Sequence, residues 1–153
     1  MHSNIYQLST RQLNADEFIT ENTFEPVQVS DFADYIQEVD CDLSEAYDGF
    51  PFIPSMFDRK DDMLIYKGCD EAFRNWHKEV CDKVSKLSEE GLKDSMNTFR
   101  LRRVLLTPFT ESRFVLTGYN DLPSPSADFL QYCAAHLEVG DILYLGGVLD
   151  FHW

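Results

Sequence analysis

Between Gln12 and Asp58 there is no lysine and no arginine. The same stretch holds Asp16, Glu17, Glu21, Glu25, Asp31, Asp34, Glu38, Asp40, Asp42, Glu45, Asp48 and Asp58. The whole chain has 27 acids against 13 bases, a formal charge of -14. Twelve acids and no base make residues 12–58 a strongly acidic segment that carries most of that charge. Such acidity repels phosphates and argues against direct nucleic-acid binding.

Other absences narrow the class. No apolar run approaches the ~18 residues of a membrane helix. Met1-His2-Ser3-Asn4 has neither the basic nor the apolar region of a secretory leader, so a cytoplasmic location is expected. Cys41, Cys69, Cys81 and Cys133 form no Cys-x-x-Cys pair and are expected to be reduced, buried thiols. Gly146-Gly147 is followed by no helix, which excludes a phosphate-binding glycine loop. There is no internal repeat and no low-complexity tract. What remains is 153 residues with 44% apolar and 14% aromatic content, enough to build the core of one globular domain over residues 1–153.

Apolar spacing predicts the elements. From Asp31 to Asp48, Phe32, Tyr35, Ile36, Val39, Leu43, Ala46 and Tyr47 recur at three- and four-residue steps, as on a helix capped by Ser30. Asp31, Asp34, Glu38, Asp42, Glu45 and Asp48 then fall beside and opposite that stripe. Asp40-Cys41-Asp42 is its weak point, where a second cap at Ser44 would restart the helix. Residues 48–58 carry Phe50, Phe52, Ile53, Met56 and Phe57 in a two-proline loop that folds over the core. Alternatively, Phe50 and Phe52 anchor the centre of an acidic interface.

Strands are expected at 3–8, 63–66, 97–107 and 112–119, and in a central run at 142–145. Gly146-Gly147 marks a bulge after which Val148 to Trp153 continue with faces exchanged. From Asp70 to Glu90, Phe73, Trp76, His77, Val80, Cys81, Val84 and Leu87 make a helical stripe roughly 30 Å long, with His77 in the core. A second helix runs through Phe129, Leu130, Cys133, Ala134 and Leu137. The expected fold is α+β: a mainly antiparallel sheet of about five strands with a long amphipathic helix, about 70–90, packed across one face.

The chemical motifs are sparse. Asp40-x-Asp42-x-Ser44 opens like a calcium loop but has Glu45 where glycine is needed and Pro51 where the bidentate glutamate belongs. His77 with Cys81, and Cys133 with His136, supply two corners of a zinc site each, and neither motif is completed. No metal or other cofactor is expected. Arg100, Arg102, Arg103 and Arg113 form the one dense basic patch and are expected to pair with the acidic third. Asp150 and His152 alternate on the last strand. With His136 they offer the alternative of a small enzyme or metal-dependent hydrolase.

Tyr47-Asp48-Gly49-Phe50-Pro51, following an acidic run, resembles the acidic antirestriction proteins that mimic DNA, over five residues of 153. The resemblance implies an anti-defence role. One acidic row on a helix gives a charge about every 5.4 Å, against ~1.7 Å along duplex DNA, so mimicry would need further rows. The leading expectation is an acidic, non-enzymatic binding or inhibitory protein, such as an immunity or anti-defence protein. It would engage a basic protein partner through Asp31, Asp34, Glu38, Asp42, Glu45, Asp48, Phe50 and Phe52, with neither nucleic acid nor membrane as partner.

Overall fold

In chain order the computed structural model, which describes residues 1–153, contains β1 (His2–Ser9), α1 (Pro26–Val29), β2 (Tyr35–Glu38), α2 (Leu43–Asp48), β3 (Phe57–Lys60) and β4 (Met63–Tyr66). These are followed by α3 (Asp70–Ser85), α4 (Ser95–Leu106), β5 (Arg113–Leu116), β6 (Asn120–Ser124), α5 (Ser126–His136) and β7 (Ile142–His152). The architecture is α+β, with one mixed sheet of seven strands.

β7 is central because Ile142-Leu143-Tyr144-Leu145 is apolar on both faces. It pairs with β1 along one edge; along the other it pairs with β4 near its start and with β2 near its end. The main path runs β3-β4-β7-β1-β5-β6. Every pairing is antiparallel except β1 with β5.

The glycine pair produces the expected bulge. Tyr6 faces Val148 and Leu8 faces Leu145, so Gly146 and Gly147 stand opposite Gln7 alone. The extra residue exchanges the faces of β7. Leu143 and Leu145 enter the larger core, whereas Leu149 and Phe151 enter a smaller core with Ile5, Ile19 and Val115.

The 48–58 loop does fold back. Phe50, Phe52, Met56 and Phe57 are buried among Tyr6, Phe114 and Phe129. Phe114 and Phe129 stack with centroids 4.4 Å apart.

Several expectations are corrected. Residues 31–48 do not form one helix. Pairing with β7 draws Tyr35–Glu38 into a strand, and helix resumes only at Leu43. Asp42, not Ser44, caps it, accepting from Glu45 N at 2.9 Å. Residues 97–107 are not a strand but lie mostly within α4. Its cap is Asp94, which accepts from Met96 N at 2.9 Å, and Arg100 to Leu106 are mostly strong helix formers. The sheet has seven strands rather than about five, because β2, β3 and β6 are added and the 97–107 strand is lost.

The expected 70–90 helix ends at Ser85. It does not lie across the sheet. Only Ala72, Phe73 and Trp76, in its first half, pack against the core, and no α3 residue is buried. His77 is exposed, which overturns its expected place in the core. Cys41 and Cys81 are exposed as well; only Cys69 and Cys133 are buried, and all four thiols are free.

Candidate acidic interface

The local chain sets each carboxylate. Pro26 starts the single turn of α1, and Asp31 and Asp34 follow it on the approach to β2. Glu38 ends β2 and accepts from Glu21 N at 3.3 Å. Asp42 and Glu45 sit at the start of α2, where the helix dipole favours negative charge, and Asp48 closes that helix. Asp31, Asp34, Glu38, Asp42, Glu45 and Asp48 are all exposed. They sit on a turn, a strand and a helix rather than on one helical row. Phe50 and Phe52, each 2% exposed, are removed from any such surface: they are core residues, as is Tyr47 of the five-residue motif.

The acids divide into two groups. Asp31 and Asp34 line a cavity beside α4 with Arg102, Arg103 and Arg113. Asp48 lines another, of about 590 Å³, with Ser44, Tyr47, Ile53, Arg59, Asp61 and Asp62. Asp61 and Asp62 belong to this surface although they lie outside the 12–58 segment. No hairpin signal marked them in the sequence: Asp61-Asp62 lacks the glycine of a two-residue turn, and they join this surface only because β3 pairs with β4.

The fold also brings a base into the acidic group. Arg59 pairs with Asp48, donates to Ser44 O at 3.1 Å and to Ser44 Oγ at 3.0 Å, and lies 5.6 Å over the Tyr47 ring. Burial pushes the Tyr47 hydroxyl up to about 12, despite the opposing Arg59 charge, so it stays protonated at neutral pH. The α4 arginines are not neutralised as expected. Arg103 pairs with Glu111, outside the acidic third.

Asp150 and His152 do share a face of β7, as the alternation predicts. Asp150 Oδ2 is 2.8 Å from His2 Nδ1 and accepts from Gln37 Nε2 at 3.0 Å. His152 stacks on Tyr35 with centroids 5.3 Å apart. His136 is not part of this group. It ends α5 against Tyr119 and Tyr132 and shares a cavity with Tyr144, eight residues before His152 on β7. At ~3.3 Å per residue that separation is roughly 25 Å, so the three residues cannot act on one substrate atom. Cys133 is no partner for His136 either. Its thiol is fully buried and pushed up by that burial and by Cys69, so it is not a ready thiolate. His77 Nε2 lies 3.5 Å from Cys81 Sγ, and no group of three or more metal-ligating side chains is assembled anywhere in the fold.

No protein-family model, no curated protein and no solved structure matches this chain. No helix is long and apolar enough to cross a membrane.

Proposed function

We propose that the chain is a non-enzymatic binding or inhibitory protein that engages a basic protein partner through Asp31, Asp34, Glu38, Asp42, Glu45 and Asp48. The observation that carries this is the exposure of all six carboxylates, with Asp61 and Asp62 extending the α2 end. A surface on which acids outnumber bases steers an oppositely charged partner and selects against others. An inhibitory role of the immunity or anti-defence kind would use the same surface.

The test reverses Glu38, Asp40 and Glu45 to lysine, three exposed positions away from the α4 cavity. Each change should move stability by no more than about 0.5 kcal/mol. The variant should melt near the parent yet fail to retain a basic protein that the parent captures from the host. The purified partner should then bind the parent more weakly at high salt, since exposed charges are screened beyond ~10 Å at 0.1 M. Equal affinity and equal salt dependence for parent and variant would show that the acids only solubilise the fold.

A further inference from the structure

The cavity beside α4 has a different chemistry from the acidic surface. It is an open cleft of about 400 Å³, within the range of small-molecule sites. Phe32, Phe99 and Trp153 supply aromatic walls, and Arg102, Arg103 and Arg113 supply cations. The Arg113 guanidinium lies 4.7 Å over the Phe32 ring, and that of Arg103 lies 5.2 Å over the Trp153 indole. Stacking of this kind leaves guanidinium edges for acceptors in their own plane.

Two donors on residues that line this cavity lack an acceptor. Arg113 Nε and Trp153 Nε1 are both buried, and neither makes a hydrogen bond within the chain. Buried N–H groups without acceptors are few in native proteins because they lose solvation and gain nothing in return. The acids on the lining do not meet the need. Glu111 is engaged by Arg103, and Asp34 Oδ2 lies 3.4 Å from His152 Nδ1. In formal charge Asp31, Asp34 and Glu111 balance Arg102, Arg103 and Arg113, but of these arginines only Arg103 is held in an ion pair. Burial also lowers the Arg113 pKa, although Glu111 and Asp128 oppose this, so the cation is poorly solvated and gains from an anionic acceptor.

We propose that this cavity binds a small organic anion, a carboxylate or phosphate on an aromatic body, whose oxygens accept from Arg113 and Trp153 while the body packs on the aromatic walls. This site is independent of the acidic interface, and Glu38, Asp40 and Glu45 do not line it.

Titration of the whole protein with 1-naphthoate, phenyl phosphate, inorganic phosphate and neutral 1-naphthalenemethanol, followed by calorimetry, tests the assignment. An aromatic anion should bind below ~1 mM, and the neutral compound and inorganic phosphate about tenfold more weakly. The stronger of naphthoate and phenyl phosphate identifies the anionic group. Arg113→Met keeps an apolar stem over Phe32 and removes the charge and the unpaired donor, so it should melt no lower than the parent and lose affinity by about tenfold. Trp153→Phe removes the second donor while keeping a smaller aromatic wall, and should also weaken binding. The site is overturned if no aromatic anion binds below ~1 mM, if the neutral compound binds as tightly, or if Arg113→Met binds like the parent. If Arg113→Met does not fold, unchanged affinity in Trp153→Phe overturns it alone.

Discussion

The amide of Gln7 uses all of its hydrogen-bonding capacity. Oε1 accepts from Ile19 N at 2.9 Å and from Gly147 N at 2.8 Å; Nε2 donates to Glu17 O at 3.0 Å and to Thr117 Oγ1 at 3.1 Å. The side chain thereby joins β1, the bulge of β7, the segment before α1 and the end of β5. A Cβ added at Gly147 would lie 2.7 Å from Ile19 O, a backbone atom that cannot swing away. Gly147→Ala should therefore destabilise the fold by about 1–3 kcal/mol through overpacking. Gln7→Leu leaves Ile19 N and Gly147 N buried without an acceptor, at about 1–3 kcal/mol for each such group, so a loss of about 2–6 kcal/mol is expected. Urea titration of both variants measures this, and a shift below ~0.5 kcal/mol in either would remove the network from the account. The bulge was legible because two glycines interrupt an apolar strand. Gln7 was not: one polar residue in a strand looks like an outward-facing one, and its partners come from distant segments.

At the scale of elements, what the sequence revealed depended on whether local and tertiary preferences agreed. They agree for β4, whose Met63–Tyr66 bounds match its apolar run, and for α5, whose Phe129, Leu130 and Cys133 are buried at helical spacing. They disagree in two places. Phe32, Tyr35, Ile36 and Val39 satisfy a helical period, yet the free edge of β7 beyond β4 recruits Tyr35–Glu38 as a strand. Phe99-Arg100-Leu101-Arg102 alternates over only four residues, too few to outweigh the helix formers around it and the Asp94 cap. The acidic surface was likewise legible as composition but not as shape, since Asp61, Asp62 and Arg59 join it only through the β3–β4 hairpin. The cap that restarts the chain as α2 gives a direct test. Asp42→Ala should cost about 1 kcal/mol, and Asp42→Ser should recover most of it, because the hydroxyl can also accept from Glu45 N. Thermal melts of both variants decide it. Equal melting of parent and Asp42→Ala would mean that α2 is held by Ala46 and Tyr47 in the core alone.

Across the whole molecule, stability is unevenly distributed. β1 and β7 are paired along almost their full lengths and flanked by both cores. α3 and α4 contain no buried residue, and Val84, Met96, Phe99, Leu105 and Leu106 are exposed. Their link to each other includes the Trp76 indole, which donates to Val104 O at 2.8 Å, and they reach the rest of the fold through Ala72, Phe73 and Trp76 and through Arg103, which pairs with Glu111 and lies over Trp153. Helices of this length are marginal in water without tertiary packing. The far end of the pair, around Leu87 to Asp94, should therefore open without unfolding the sheet. Amide hydrogen exchange in increasing denaturant separates such openings from global unfolding. The amides of Val80 to Ser85 and of Met96 to Leu101 should exchange through an opening several kcal/mol easier than that of Ile5 to Leu8 and Val148 to Phe151. Trp76→Phe, which deletes the bond to Val104 O, should speed exchange in α4 and leave the sheet amides unchanged. If α3 and α4 instead exchange only with the slowest sheet amides, they are held by packing that their exposure does not show. The exposed apolar residues would then need a partner, most simply a second copy of the chain, which sedimentation at the same concentration would reveal.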